Sequence, residues 1–499
     1  MTPIAPRQLA ALAWLAALVA VVLGSWGLSS ASLWLDETFT VFDARRSLAD
    51  MLAMRGEAFG GAHHPPGYFL VVRGAMAVCG THEVCVRAPS VLANAALAAV
   101  IVLAAGRSFG RVAAIAAALV WPSLPYALKY AQQARHYSLL GLLCALALMH
   151  AMQAWSREGP REPQRTFVAL GLCAGLALWV HLFAVPFLVG LALWCGGWQL
   201  ALRRSERAPS LSECAIAIGT AVLTAAPLLP GLWKVWVTAG GGQLESRAGP
   251  VENAAELARD LLTFGLDSWW VPLLAAPALL HPRTRVLAFG LALVAVFPLS
   301  GVLLRNPEHF VALRYFMPSL AVVAVLQAAG VAVIFAVCGQ LASRLVRRGR
   351  GVLGLALATA LLAWPVRVLA RLHVAGIAKQ YATADFEPWD RVAARIRVHA
   401  VPGDLTVVVP YALVRYPFLV YGLPTPLIDP DDPELAAQLA ACDGTVFVVA
   451  SHIDRDERTA LRRRTLRTIT AAGFVRSELD APREANIELL AYRRRPSSS

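Results

Sequence analysis

Charged residues are scarce in this sequence. Of its 499 residues, 15% are charged and 58% are hydrophobic, and the mean hydropathy is +0.57. A soluble protein would carry about a quarter charged residues. The low charge, together with many separate apolar runs, excludes an ordinary soluble protein and indicates a polytopic membrane protein with α-helical spans.

Motifs of several other protein classes are missing. The eight cysteines show no paired C-x-x-C pattern of the kind that forms structural metal sites. The C-terminal region has neither a G-x-G-x-x-G motif nor a P-loop, so we expect no nucleotide to bind there. The net charge of +13 comes mainly from arginines in short loops, and no basic patch is interleaved with aromatic residues. We therefore expect no nucleic acid partner.

The first apolar run, residues 9–29, has about the 20 residues needed to cross a hydrocarbon core. It is too long for a signal-peptide core and ends without an A-x-A cleavage site, so we expect a retained membrane anchor. Arginine-rich turns then recur at every second connection. By the positive-inside bias these turns are cytoplasmic. This predicts a protein of the cytoplasmic (inner) membrane whose N-terminus lies in the cytoplasm.

The hydropathy pattern predicts about eleven spans in all. An odd number of spans places the C-terminus on the outer, periplasmic side. The interval 166–201 is read as two helices joined tightly at His181. The predicted spans are 9–29, 89–106, 112–128, 138–155, 166–180, 183–201, 214–233, 269–282, 286–304, 317–341 and 351–369.

The composition changes at about residue 372, where charged residues become more frequent. We predict a transmembrane domain over 1–371, with an outer loop at 30–88, and a soluble periplasmic domain over 372–499. Short apolar runs alternate with amphipathic helices in the second part, which is typical of an α/β domain with a partly parallel sheet. The predicted helices are 388–399, 412–420, 433–441 and 456–472, and the predicted strands are 404–410, 425–429, 445–450, 474–479 and 486–493.

The outer loop 30–88 contains two segments with the pattern of interfacial helices. Residues 44–54 place their apolar side chains on one face, and residues 68–78 are apolar. Between them lies a turn whose prolines, Pro65 and Pro66, hold the preceding residues in an extended conformation. We therefore expect this loop to be structured.

An acidic pair, Asp36 and Glu37, follows the first span and lies at the outer edge of the membrane. Trp34 and Phe39 flank the pair, and aromatic rings favour the headgroup level. A carboxylate at that depth can act as a general base in chemistry on a lipid headgroup. The alternative is a solvated turn that caps the following helix. Adjacency does not decide which of the two acids would be the base.

Cationic and amide residues cluster at the same membrane level between the third and fourth spans. If the segment 129–136 is helical, most of these side chains share one face, because residues three, four and seven apart are neighbours on a helix. The residues on that face are Lys129, Gln132, Gln133 and His136, with Arg135 elsewhere on the same element.

Transfer of a sugar from a lipid phosphate needs groups that stabilise the leaving phosphate. Arginine can bind phosphate in a bidentate manner, and lysine supplies a point charge. Arg87, just before the second span, has an alternative interpretation as a membrane-edge arginine. We predict Asp36 and Glu37 as catalytic residues and the following donor phosphate or substrate-binding residues: His63, His64, Tyr68, Arg87, Lys129, Gln133, Arg135, His136, Arg314 and Tyr315.

Two pairs of residues in the outer loop leave alternatives open. His63 and His64 could bind a divalent metal, contact a phosphate or cap the turn before Pro65, and metal is the minority interpretation because no other clear ligands accompany them. Cys79 and Cys85 both fall on the outer side, where an oxidising compartment would favour a disulfide between them.

Taken together, these motifs resemble the C-type (GT-C) integral-membrane glycosyltransferases. The resemblance rests on the acidic pair after the first span, HPPGY at 64–68, RAPS at 87–90 and AQQARHY at 131–137, and it covers about residues 9–370. It is greatest to glycosyltransferase family 39 and its bacterial relatives, which include protein O-mannosyltransferases and aminoarabinose transferases acting on lipid A. Many relatives have Gln-Glu-Ala-Arg where this chain has Gln132-Gln133-Ala134-Arg135.

The resemblance implies an inverting transfer from a polyprenyl-phosphate-linked sugar to an extracytoplasmic glycan, lipid or protein, with Asp36 as the catalytic acidic residue of the first outer loop. The expected partners are this donor and membrane lipids. Two alternatives remain: a translocator of lipid-linked glycans, and an outer-face glycan polymerase or ligase. A translocator would place ionisable residues near the bilayer midplane, whereas the polar clusters here lie at the outer ends of the spans.

Overall fold

A computed structural model provides the structure of the protein. It describes residues 2–54, 64–155, 162–202, 208–238, 250–263, 273–300, 313–347, 387–451, 456–477 and 487–495, together with isolated positions between 352 and 374. The described helices before residue 348 are α1 (Pro6–Ser25), α2 (Leu35–Ala44), α3 (Leu48–Leu52), α4 (Gly67–Cys79), α5 (Glu83–Phe109), α6 (Arg111–Val120), α7 (Pro125–Ala131), α8 (Tyr137–Ala154), α9 (Pro163–Val180), α10 (Ala184–Leu202), α11 (Leu211–Ala225), α12 (Leu229–Thr238), α13 (Pro250–Thr263), α14 (Ala276–Leu280), α15 (Arg285–Val296) and α16 (Met317–Arg347).

Among the described residues, seven helical segments are long and apolar enough to cross a membrane. An eighth results if the bent pair α6 and α7 is one span, whose two parts meet at 56°. The bend follows from Pro122 and Pro125, which lack the N–H groups that would continue the helix. The multi-pass helical architecture is confirmed. Of the other predicted spans, 269–282 contains only the short helix α14 in its described part and 286–304 overlaps the shorter apolar helix α15, while most of 351–369 lies outside the described residues.

The first outer loop differs from the prediction in its first helix. The sequence pattern predicts one helix over 44–54, whereas the structure has α2 ending at Ala44 and the separate short helix α3. A new helix begins there because the Ser47 hydroxyl accepts a hydrogen bond from the backbone N–H of Asp50. The second predicted helix, 68–78, is confirmed as α4.

The single helical face predicted over 129–136 is wrong. Helix α7 ends at Ala131, α8 begins at Tyr137, and the residues between them form a turn. The reason lies outside the segment: the backbone N–H of Ala134 donates to the carboxylate of Glu37, and the Gln132 side chain donates to the carbonyl of Trp26. These partners replace the hydrogen bonds of a continuous helix.

A disulfide joins the end of α4 to the start of α5. It pairs Cys79 with Cys85, whose Cα atoms are 5.9 Å apart. This pairing, one of two possibilities from the sequence, is present in the structure. The bond closes the turn that brings α5, and with it Arg87, back against the outer loop.

The C-terminal region forms a small α/β domain around a five-stranded sheet of order β2-β1-β3-β5-β4. Strands β1, β2 and β3 are parallel, and β5 is antiparallel to both β3 and β4. The partly parallel sheet predicted from the sequence is confirmed. Its elements are α17 (Trp389–His399), β1 (Leu405–Val409), α18 (Tyr411–Tyr421), β2 (Leu427–Ile428), α19 (Leu435–Ala441), β3 (Thr445–Ser451), α20 (Asp456–Ala471), β4 (Phe474–Ser477) and β5 (Ile487–Arg494).

Helices cover both faces of this sheet. Side chains alternate along β1, so Val408 packs with the core on the α17 and α18 side while Val407 and Val409 pack with the core on the α19 and α20 side. The first of these cores also takes in Leu35 and Phe39 of α2. The first outer loop is therefore packed against the C-terminal domain.

Candidate active site

Two consecutive acids occupy the first turn of α2. Asp36 and Glu37 follow Leu35, the first residue of the helix. Acidic side chains suit this position because they complement the positive end of the helix dipole. Since an α-helix has 3.6 residues per turn, consecutive side chains point about 100° apart. The two carboxylates therefore face different surroundings.

Glu37 is fully buried and its carboxylate is saturated with donors. Arg87 donates to it twice, from Nε to Oε1 at 2.9 Å and from Nη2 to Oε2 at 2.6 Å. The backbone N–H groups of Ala134 and Trp34 donate to the same two oxygens, at 2.6 and 3.1 Å. Each oxygen therefore accepts two hydrogen bonds, which uses the carboxylate's full capacity.

Arg87 is as fully engaged as its partner. Its Nη1 also donates to the backbone carbonyls of Leu28 and Ala31, at 2.7 and 2.9 Å, and its Nη2 donates to that of Ser32 at 2.8 Å. All five N–H groups of the guanidinium thus have partners. The side chain, 2% exposed, ties α5 to the chain that leaves α1 and to Glu37.

Asp36 has a much more open environment. Its side chain is 18% exposed, and its carboxylate Oδ2 lies 3.7 Å from Nη2 of Arg135. Arg135 Nη1 donates to the backbone carbonyl of Asp36 at 3.1 Å and to the hydroxyl of Thr40 at 3.4 Å. No hydrogen bond to the Asp36 carboxylate comes from the described part of the chain. This carboxylate is available to accept a proton.

Two arginines, the buried Arg135 and the half-buried Arg314, lie beside the ring of Tyr137. The guanidinium carbons of Arg135 and Arg314 are 5.8 and 5.9 Å from its centroid, and that of Arg314 is also 5.5 Å from the centroid of Tyr315. Asp36 acts electrostatically on both cations. Within the described ranges, the buried Nε atoms of both arginines have no hydrogen-bond partner. One carboxylate facing two cations leaves a local excess of positive charge, which favours an anionic ligand.

Three histidine rings pack together next to the arginines. His136 and His181 are stacked, with centroids 4.3 Å apart, and His64 lies 5.5 and 5.6 Å from them. Burial, together with the neighbouring His181 and Arg135, lowers the pKa of His136 well below its ordinary value. His136 is therefore neutral, and its buried Nε2 has no partner among the residues described.

The other residues singled out by the sequence are distributed unevenly. Tyr68 is buried, with its ring 6.3 Å from that of His136. The side-chain oxygen of Gln133 is buried and has no hydrogen-bond partner in the described ranges. Lys129 is an exposed residue in the last turn of α7. His63 lies outside the described residues.

The histidine cluster does not have the geometry of a metal site. In the part of the chain that the structure describes, no group of three or more His, Cys, Asp or Glu side chains could hold a metal ion. The rings of His136 and His181 are nearly parallel, at 18°, rather than converging on one point. In addition, Nδ1 of His181 accepts a hydrogen bond from the backbone N–H of Phe183.

Sequence reasoning missed two residues of this cluster. Tyr137 lies between both arginines, and its signal was its place at the end of the AQQARHY motif. His181, which the sequence indicated only as the junction of two helices, stacks on His136 and on Tyr315, the latter with centroids 5.2 Å apart. Its signal was the break between two spans, which places a polar residue at the same outer level.

Three solved structures are similar to this one. ArnT from Cupriavidus metallidurans in the apo state gives a TM-score of 0.62 at 14% identity, covering 96% of this chain and 97% of that chain. ArnT from the same organism bound to undecaprenyl phosphate gives 0.58 at 15% identity, with the same coverage. The oligosaccharyltransferase of Archaeoglobus fulgidus, in a complex with Zn and sulfate, gives 0.50 at 13% identity, covering 97% of this chain and 73% of that chain.

The chain therefore has the C-type glycosyltransferase fold, and the resemblance predicted from the sequence is confirmed. The structural similarity extends beyond the predicted 9–370, because it covers 96% of the chain and so includes most of the C-terminal domain. Residues 63–230 match the family model described as dolichyl-phosphate-mannose-protein mannosyltransferase. No curated protein sequence matches the chain significantly.

Proposed function

We propose that the protein is an inverting membrane glycosyltransferase that moves a sugar from a polyprenyl-phosphate donor to an extracytoplasmic acceptor. The observation that carries this proposal is the partly exposed carboxylate of Asp36 together with the two cations Arg135 and Arg314, which share the ring of Tyr137. A carboxylate suits the removal of a proton, and guanidinium groups suit a phosphate. Both sets of groups meet in one place.

The reaction needs four coordinated changes. The Asp36 carboxylate takes the proton from an acceptor hydroxyl, and the acceptor oxygen attacks the sugar's anomeric carbon from the side opposite the phosphate. The bond between that carbon and the phosphate oxygen breaks, and its electron pair stays on the phosphate. Arg135 and Arg314 stabilise the charge that collects there, in a buried site where such interactions are strong. The products are an inverted glycoside and polyprenyl phosphate.

The environments of the two acids favour Asp36 over Glu37 as the base. A proton acceptor needs a free lone pair within reach of the substrate. Glu37 is surrounded by four donors and has no exposed surface, so it holds the turn around Ala134 in place. Arg87, predicted as a substrate-binding residue, neutralises Glu37 and is a structural partner in this proposal.

The similar proteins support the proposed donor class. One of the two ArnT structures is bound to undecaprenyl phosphate. The matching family model is named for dolichyl-phosphate mannose. Undecaprenyl phosphate and dolichyl phosphate are both polyprenyl phosphates. We extend this class to the present chain, with an N-terminus in the cytoplasm, residues 372–499 as a periplasmic domain, and the site on the outer side of the inner membrane.

Cleavage of the donor tests the proposal. The purified protein, reconstituted in liposomes, is given undecaprenyl-phosphate mannose or undecaprenyl-phosphate aminoarabinose with a membrane extract as acceptor. We expect release of undecaprenyl phosphate from at least one donor, measured by mass spectrometry. Movement of intact donor across the bilayer without cleavage would instead identify a translocator and reject the proposal. Mass spectrometry of lipids and glycans from a deletion strain would then name the sugar and the acceptor.

A further inference from the structure

The C-terminal domain contacts the beginning of α2, the helix that carries Asp36. The side chains of Glu387 and Tyr421 accept hydrogen bonds from backbone N–H groups of the segment 32–35, which leads into α2, and the Ser32 hydroxyl of that segment donates to the backbone of Glu387. These contacts join parts of the chain that are more than 350 residues apart, since Ser32 and Glu387 are separated by 355 positions. None of them involves the proposed donor-binding residues.

Glu387 caps the first turn of α2. Its Oε2 accepts a hydrogen bond from the backbone N–H of Leu35 at 3.1 Å and another from the indole of Trp389 at 2.7 Å. The hydroxyl of Ser32 donates to the backbone carbonyl of Glu387. The first N–H groups of a helix have no partner within the helix, and a carboxylate there also complements the dipole. Glu387 thus fixes where α2 begins, one residue before Asp36.

Tyr421 links the segment before α2 to the start of α5. Its hydroxyl accepts a hydrogen bond from the backbone N–H of Leu33 at 2.6 Å and donates to Oε1 of Glu83 at 3.0 Å. Glu83 is the first residue of α5, and Arg87 lies one turn further along that helix. A single hydroxyl of the C-terminal domain therefore joins the segment that leads into α2 to α5, and these two helices supply Glu37 and Arg87 of the buried ion pair.

Apolar contacts hold the rest of α2 against the same domain. The ring of Tyr416 lies 4.6 Å from that of Phe39 and 5.1 Å from that of Phe42, centroid to centroid. Phe39 and Phe42 follow Asp36 by three and six positions, and Leu35 precedes it. The apolar face of α2 is thus buried in the C-terminal domain, which leaves its other face toward Arg135.

We propose that Glu387 and Tyr421 are positioning residues of the transfer reaction, which hold α2 in the rotation and register that direct the Asp36 carboxylate at Arg135. The inference rests on the proposed function, because it assigns these residues to the reaction for which Asp36 is the base. Displacement of a catalytic group by about 1 Å lowers a rate by up to about a hundredfold. The C-terminal domain therefore helps to set the geometry of the active site.

Matched variants test this role. Tyr421→Phe removes one hydroxyl, Glu387→Ala removes the cap, and Glu387→Gln keeps an oxygen that can accept from Leu35. The control is Thr425→Val, which removes a buried hydroxyl bonded to that of Thr406 within the same domain, at 2.6 Å. We expect kcat to fall about tenfold in Tyr421→Phe and Glu387→Ala while the donor KM changes less than about twofold. Glu387→Gln should recover most of the loss, and Thr425→Val should match the wild type.

Hydrogen exchange supplies a readout that does not depend on turnover. In Tyr421→Phe and Glu387→Ala the backbone amides of residues 33–44 should exchange faster, while those of β1 and β3 stay unchanged. Wild-type kcat and wild-type exchange in both variants would overturn the inference, as would an equal loss of kcat in Thr425→Val. A wild-type protein that cleaves no donor is a different result, since it rejects the proposed function itself.

Discussion

Asp36 and Glu37 are neighbours in sequence, each lies beside an arginine, and the two ion pairs are built differently. Glu37 and Arg87 approach to 2.6 Å with side chains that are 0% and 2% exposed. Asp36 and Arg135 remain 3.7 Å apart, and the Asp36 side chain is 18% exposed. Every hydrogen-bonding position of the first pair has a partner, whereas among the described residues no group donates a hydrogen bond to the Asp36 carboxylate and Nε of Arg135 has no acceptor. In the proposed function, this difference in hydrogen bonding distinguishes Glu37, a structural acid, from Asp36, the proposed base.

The comparison also shows what the Glu37–Arg87 pair does for the Asp36–Arg135 pair. Glu37 accepts from the backbone of Ala134, the residue directly before Arg135. Arg87 in turn fixes the carbonyls of the segment that leads from α1 to α2. The buried pair therefore sets both sides of the Asp36–Arg135 gap. A buried ion pair with all hydrogen bonds satisfied can specify one arrangement of the surrounding chain.

The largest expected effect is a loss of catalytic rate on substitution in the Asp36–Arg135 pair. Asp36→Asn keeps the size of the side chain but removes the base, so we expect the rate of sugar transfer to fall by about 10²–10⁴-fold. Binding of undecaprenyl phosphate and the free energy of unfolding should remain close to wild type. Asp43→Asn, on the same helix and paired with Arg46, is the control and should keep its activity. Full turnover in Asp36→Asn would remove the base assignment.

A substitution in the Glu37–Arg87 pair should instead lower the free energy of unfolding. Glu37→Gln leaves Arg87 as a buried charge without its counterion, so we expect the free energy of unfolding to drop by about 3–5 kcal/mol. Denaturant titration in detergent measures it. Glu162→Gln is the matched control, because Glu162 also lies 2.6 Å from an arginine but is 61% exposed. The control should lose less than about 1 kcal/mol. Equal losses in both variants would show that burial does not distinguish these pairs.

The smallest expected effect concerns the donor phosphate. Arg135→Lys keeps a positive charge but loses the planar group that can bind phosphate with two parallel hydrogen bonds. We expect the donor KM to rise about tenfold, with the free energy of unfolding little changed. Arg107→Lys, an exposed arginine in the last turn of α5, serves as the control. A wild-type donor KM in Arg135→Lys would place the phosphate elsewhere.

Much of the fold could be predicted because its signals are local. Hydropathy located the spans, and the alternation of apolar and amphipathic runs located each helix and strand of the C-terminal domain. The break at His181 and the turn before Tyr68 were visible for the same reason. The predicted depth of Asp36 rests on the first span alone, so it does not depend on the total number of spans.

The rest of the site depends on contacts between distant residues, which a single sequence does not reveal. Glu37 and Arg87 are 50 positions apart, and nothing in the local pattern shows that they neutralise each other. The helix predicted over 129–136 failed because Glu37 binds the backbone of Ala134. Phe39 read as a membrane-interface residue, whereas it packs on Tyr416. Each of these differences arises from a contact with a residue in another part of the chain.

The contact between α2 and the C-terminal domain has a consequence for biosynthesis. Tyr421 is translated 388 positions after Leu33, a delay of roughly 20–80 s at about 5–20 residues per second. Throughout that interval Leu35, Phe39 and Phe42 have not yet met the surface that buries them. A nascent chain therefore acquires α2 early but can complete its packing only when the last domain has been translated and folded. Premature termination, even far downstream of every span, should leave an inactive protein.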